Sequence, residues 1–288
     1  MSGTNLTLHL VKPEAADARV RRIYDDTRHT LHLPWIGALF QAYALYPDYL
    51  ELAWNELRPA LGTPQFAADA AAIGNAADQA VARFYTPSYS SRDVAAMNLN
   101  LPAIRETTSA FHAGNPKLLL VATALQRAFE EGPVGGVGGM GWPRPTGEPG
   151  EAEGERAQRA TVEMVDDEEA SEAVKMLYAD IRATLGLPLV NSDYRAMALW
   201  PDYLTLAWRD IKAHIHTADY ETEVRRLSGL AREGVDRFVV PVGATREAAQ
   251  RAGVPADRLD NLGAILRLFA GLLPGLILNV AMFYHAIA

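Results

Sequence analysis

Apolar residues recur at helical intervals along most of the chain. Val20, Ile23 and Leu31 fall near a 3.6-residue period with charges on the other faces, and Val174, Leu177, Ile181 and Leu185 do the same later. Leu33-Pro34 and Leu187-Pro188 follow these stretches directly. A residue before proline is held out of the helical region, so both helices are predicted to break there. Helix resumes through the Leu45 and Leu199 regions. Residues 67–82 are rich in alanine, the strongest helix former. Residues 118–129 and 276–287 read as apolar helices. Alternating stretches that would signal strands are nearly absent. The pattern predicts an all-α fold.

The pattern also repeats. Residues 24–54 read YDDTRHTLHLPWIGALFQAYALYPDYLELAW, and residues 178–208 read YADIRATLGLPLVNSDYRAMALWPDYLTLAW. The offset is 154 throughout, without a gap, and it continues to Arg83-Phe84 and Pro87, which meet Arg237-Phe238 and Pro241. It then becomes 158, so that Phe111 meets Phe269 and Pro116 meets Pro274. The expected organisation is a first helical repeat at 1–131, a Gly/Pro/Glu-rich linker at 132–169 and a second helical repeat at 170–288. Two related copies pack most simply as a pseudo-twofold pair. The expectation is an internally duplicated pseudo-dimer with a site between the repeats.

Composition narrows the chemistry. The chain has 288 residues, 49% hydrophobic and 22% charged, as in ordinary globular proteins. With no cysteine, disulfides, thiolate catalysis and cysteine-ligated metals are excluded, and a reducing cytoplasm is the simplest home. The net charge of −8 argues against nucleic acid and anionic lipid as partners. The N-terminus lacks a charged region followed by an apolar one, so no signal peptide is expected; the Asn5-Leu6-Thr7 sequon then carries little meaning. Residues 268–288 contain no Lys, Arg, Asp or Glu and could span a bilayer by length. Pro274 and His285 favour a buried core helix, with no membrane.

Several motifs read as structural. Gly-Val-Gly-Gly-Met-Gly at 136–141 has no strand before it, so it is a linker and not a dinucleotide loop. His29 with His32, and His214 with His216, lack a third ligand at metal spacing and are expected to be solvated. The run Asp166-Asp167-Glu168-Glu169 suits a solvated helix start. Tyr-Pro-Asp-Tyr at 46–49 and Trp-Pro-Asp-Tyr at 200–203 occur in both copies and so belong to the shared fold, with Asp48 and Asp202 expected to cap helices or bond backbone.

Differences between the copies are more informative. Asp193 stands where the first copy has Leu39, Ser192 where it has Ala38, and Asn191 where it has Gly37. Trp35 opposes Leu189, and Asn115 opposes Leu273. If these positions share an interior, a carboxylate occupies an environment made for leucine, where desolvation raises its basicity. Asn191-Ser192 reads as a helix N-cap, and free N–H groups at a helix start can hold a carboxylate. The alternative is that Asp193 is only a first-turn acid on an exposed helix.

These features together resemble the group I 2-haloacid dehalogenases. The resemblance rests on Tyr-x-Asp-x-Arg-x-Thr-Leu-x-Leu-Pro-Trp at 24–35, Gly114-Asn115-Pro116-Lys117 followed by leucines, Gly132-Pro133-Val134-Gly135-Gly136, Ser192-Asp193 and Trp200-Pro201. It implies a cofactor-free, metal-free hydrolase whose site lies between two helical repeats and whose substrate is a small carboxylate. Asp193 matches the catalytic aspartate, which activates a water to displace halide from Cα with inversion and without a covalent intermediate. Asn115 would position water or substrate, and Ser192 and Trp35 match pocket positions. Four pocket positions depart from the family. Ala38 replaces an aromatic residue, Leu118 and Phe269 each replace a tyrosine, and Leu272 replaces a phenylalanine. A more apolar and wider pocket is implied. The alternatives are a non-catalytic binding protein using the same apolar cavity, and a structural helical protein with Asp193 in solvent. A monomer and a homodimer are equally compatible with the sequence.

Overall fold

The computed structural model describes residue 6 and residues 8–137 and 162–288. Most of the 132–169 linker, including 138–141 of the glycine motif, and Asn5 of the sequon lie outside the described residues. Among the described residues, the regular elements are all helical apart from one bridge, Val134 with Val242. In chain order they are α1 (Ala18–Leu31), α2 (Ala38–Tyr43), α3 (Pro47–Leu61), α4 (Pro64–Phe84), α5 (Ser91–Ala96) and α6 (Leu101–Glu131). After the gap come α7 (Glu172–Leu185), α8 (Ser192–Met197), α9 (Pro201–Lys212), α10 (Ala218–Asp236), α11 (Arg246–Arg251) and α12 (Leu259–Ile287).

The helices begin where side chains satisfy their first N–H groups. Asp17, Thr63, Ser171, Thr217 and Thr245 each accept a hydrogen bond from a backbone N–H three residues on. Pro47 and Pro201 open α3 and α9, where a missing N–H is harmless. Asp48 and Asp202 stand in the first turns of these helices, and the N-cap positions belong to Tyr46 and Trp200. Proline already solves the entry, and Asp48 instead accepts from Arg19 at 2.8 Å.

Both long helices exceed the stretches expected, because each runs through a proline. Pro116 lies inside α6 and Pro274 inside α12. An interior proline removes one rung and normally destabilises a helix by about 3 kcal/mol. Packing outweighs that here, since the most extensive contact between any two elements is α6 on α12. The apolar C-terminal stretch forms α12. Although long and apolar enough to cross a membrane, it is enclosed by α6, α4 and α10, and its most apolar window is 67% buried.

Local contacts recur at the sequence offset. Trp54 Nε1 donates to Asp26 at 2.7 Å, and Trp208 Nε1 donates to Asp180 at 2.8 Å. Tyr24 and Tyr178 donate to the carbonyls of Val11 and Val165, both at 2.8 Å. Val11 N–H donates to Gln41 O, and Val165 N–H to Arg195 O, both at 3.0 Å. The short helices then cross over: α8 docks on α6, and α2 docks on α12. This exchange brings Asp193 to the long helix of the other half.

Candidate active site

A cavity of about 30 Å³ lies where α2, α6, α8 and α12 converge. A buried water needs on the order of 10–15 Å³, so the hollow has room for one or two. Every residue singled out from the sequence lines it: Trp35, Ala38, Asn115, Leu118, Ser192, Asp193, Phe269 and Leu272. Leu39, Phe111, Asn191, Leu273 and Leu276 line it as well and were not assigned to the site from sequence. The repeat offset contains the signal that finds them. Leu39 matches Asp193, Phe111 matches Phe269, Leu273 matches Asn115 and Leu276 matches Leu118. The wall is built of equivalent positions from both halves.

Asp193 is 2% exposed, so it is a first-turn acid on a buried helix rather than a solvated one. Its Oδ1 accepts from Asn115 Nδ2 at 2.8 Å. Burial pushes the carboxyl up to about 7, against the opposing pull of Asn115 and of its own backbone N–H. A carboxylate has about four acceptor positions, so these bonds leave capacity for a water. Among the described residues, no Lys or Arg lines the cavity. Asp193 is therefore half ionised near neutral pH, which suits a general base.

Asn191 occupies the N-cap of α8, as expected, but makes no side-chain cap bond. Its Oδ1 and Ser192 Oγ are buried without a hydrogen-bond partner. Unpaired buried polar atoms are rare and call for a ligand or water. Trp35 is 2% exposed and tilted on Phe111, with ring centroids 4.1 Å apart. Gly114 makes room for it: a Cβ there would lie 2.4 Å from Trp35 Cη2. The hollow is small and lined mostly by apolar side chains. Leu118, Leu272, Leu273 and Leu276 line the same hollow as the carboxylate.

The histidines take no part. His216 lies in contact with Glu221 and the Thr184 carbonyl, and His32 ends α1 in a left-handed conformation at φ 54°. Among the described residues, no three His, Asp or Glu side chains gather as a metal site.

The site is thus a buried carboxylate held by an amide at the wall of an apolar hollow in an all-helical fold. The chain belongs to the family described as halocarboxylic acid dehydrogenase DehI, whose model matches residues 34–194. This places it among enzymes that hydrolyse carbon–halide bonds. It is 30% identical to an (R)-2-haloacid dehalogenase of Pseudomonas putida, over 95% of this chain and 90% of that protein. It is 28% identical to a configuration-inverting 2-haloacid dehalogenase of Pseudomonas sp. (strain 113), over 88% of this chain and 82% of that one. Among solved structures, a D-2-haloacid dehalogenase in complex with L-LA superposes with a TM-score of 0.90 at 29% identity, covering 98% of this chain and 97% of that one. A mutant D-2-haloacid dehalogenase with D-2-CPA gives 0.88 at 28% identity, covering 98% and 96%.

Proposed function

We propose that this protein hydrolyses 2-haloalkanoic acids, with Asp193 as the general base for a water that attacks Cα. The observation that carries this reading is the buried Asp193 carboxylate, hydrogen-bonded to Asn115 at the wall of a water-sized hollow. Ionised Asp193 takes a proton from the water as its oxygen bonds to Cα. The carbon–halogen bond breaks on the opposite side, and halide leaves with the bonding pair. The product is a 2-hydroxy acid of inverted configuration, and Asp193 returns its proton to solvent. No second nucleophile is required.

The remaining residues align the reactants. Asn115 occupies one carboxylate oxygen and so directs the others toward the water. Ser192 Oγ, unpaired in the structure, is a donor for the substrate carboxylate. Trp35, Ala38, Leu118, Phe269 and Leu272 close the apolar side around the halogen and alkyl chain. Such alignment contributes several kcal/mol by holding the reacting atoms in line. Bound substrate must push the leucines aside, because the hollow holds little more than water.

The test is halide release from racemic 2-chloropropionate by the purified protein, with the hydroxy acid resolved by chiral chromatography. The parent releases halide and yields inverted product, and Asp193→Asn loses about 10²–10⁴-fold in rate. A single turnover in water of heavy oxygen labels the product and leaves Asp193 unlabelled. Label on Asp193 would convert the base into a nucleophile and sink the mechanism. Full activity in Asp193→Asn would sink the assignment of the base.

A further inference from the structure

Tyr194 follows Asp193 on α8 and is fully buried. Its hydroxyl accepts from Asn279 Nδ2 on α12 at 2.9 Å. Tyr220 on α10 places its hydroxyl 3.0 Å from Asn279 Oδ1 and 3.1 Å from the Gly275 carbonyl, with both oxygens as acceptors. One buried polar chain thus joins α8, α12 and α10. None of its three side chains lines the cavity.

The repeat shows that this chain is not required by the fold. At the equivalent positions of the first half stand Phe40 for Tyr194, Val121 for Asn279 and Phe66 for Tyr220. All three are buried and apolar. Gly275, whose equivalent is Lys117, is part of the same change. A Cβ at Gly275 would lie 2.8 Å from the Tyr220 hydroxyl, so the glycine admits that hydroxyl to the helix backbone. Glycine otherwise weakens a helix interior. Four linked differences therefore separate the half that carries the carboxylate from the half that does not.

Stability alone does not explain them, because apolar groups of matching shape can replace a buried polar set without loss. Direction does. A hydrogen bond fixes one geometry, whereas apolar surfaces tolerate sliding. Leu272, Leu276 and Asn279 stand at i, i+4 and i+7, on one face of α12. The residue that grips Tyr194 thus shares its face with two residues of the pocket wall. We propose that Tyr194, Asn279 and Tyr220 form a positioning network that fixes α8, and hence the Asp193 carboxylate, against the α12 wall. This rests on Asp193 as the base. A displacement near 1 Å in such a site lowers rate by about 10²-fold.

Three variants test it with racemic 2-chloropropionate: Asn279→Val, Tyr220→Phe and the triple Tyr194→Phe/Asn279→Val/Tyr220→Phe, beside Asp193→Asn. The triple variant copies the apolar arrangement of the other half and leaves no polar group unpaired. It is expected to recover the parental melting temperature, while kcat stays at least tenfold down with KM changed less than threefold. The acid limb of its kcat profile moves to lower pH, because a loosened α8 admits water to Asp193. Asn279→Val loses both stability and kcat. Tyr220→Phe, which keeps the bond between Asn279 and Tyr194, shows a smaller loss of kcat than the triple variant. If the triple variant regains kcat within twofold along with its melting temperature, the network is only core and the proposal falls. If Asp193→Asn retains parental activity, it is the assignment of the base that fails, whatever the triple variant does.

Discussion

Near neutral pH the Asp193 carboxyl sits close to its own half-titration, and this links activity to stability. Its folded-state value, about 7, lies above the ordinary 3.8. A group raised in this sense contributes stability that is fully present below the unfolded value and lost as pH rises through the folded one. The protein should therefore weaken between pH 4 and pH 8 by up to about 4 kcal/mol from this residue alone. Asp193→Asn, which can still accept from Asn115, removes that dependence. Denaturant titrations should find the variant more stable than the parent at pH 8 and equal to it near pH 4. Equal stability at both would mean that the carboxyl is not buried. In the proposed mechanism activity follows the opposite direction, because the base must be ionised, so kcat is expected to fall below pH 7. Asn115→Leu deletes the bond that favours the carboxylate and should move the acid limb of kcat upward, along with a loss in rate. The odd residues Asp193 and Asn115 were legible because each faces leucine in the other repeat. The unpaired Asn191 Oδ1 and the network behind Tyr194 were not, since partners on separate helices are set only by tertiary packing.

Among the elements, α6 supplies Asn115 and the seat of Trp35 from one short run. Gly114, Asn115 and Pro116 are three poor helix residues in the middle of a helix, and each has a tertiary reason for its place. Gly114 receives Trp35, Asn115 holds Asp193 and Pro116 is buried. Gly114→Ala improves intrinsic propensity, yet its Cβ would meet Trp35 at 2.4 Å and Leu33 at 2.7 Å, both within the packed core. The expected result is a loss of about 1–3 kcal/mol in thermal or denaturant unfolding, with KM raised as the indole is displaced. Adding Trp35→Phe should restore most of the stability and not the affinity. A Gly114→Ala protein as stable as the parent would show that the close approach is relaxed at no cost. Of the long elements, α4 was readable from its alanine content and α7 from a periodicity that spans several turns. The six-residue α5 and α11 were not, being too short to show a period and dependent on caps at Ser90 and Thr245. The full length of α6 and α12 was hidden by their prolines, whose local penalty is overcome only by the contact of one helix with the other.

For the molecule as a whole, the repeat offset gave more than any motif, because it named pairs of positions that later proved to share a wall. It did not reveal the crossing of α8 onto α6 and of α2 onto α12, since the sequence records which units are alike and not how they interlock. That crossing bears on folding. If each half closed its own core, the units at 1–131 and 170–288 would be separable. Instead the largest contact is α6 on α12, and α4 with α10 adds to it. The second half alone would expose α12, the most apolar of the described helices, and the first half alone would expose the face of α6 that packs on it; an unpaired apolar face of that size drives aggregation rather than folding. We therefore expect that a chain ending at residue 137, or one starting at 162, gives no cooperative unfolding transition by itself. Produced together, the two pieces should combine one to one, recover a helical transition and release halide from 2-chloropropionate, since each supplies half of the wall. Asp193→Asn in the second piece should leave that assembly intact and silent. A single piece that unfolds cooperatively as a monomer would instead show that the two halves are independent domains.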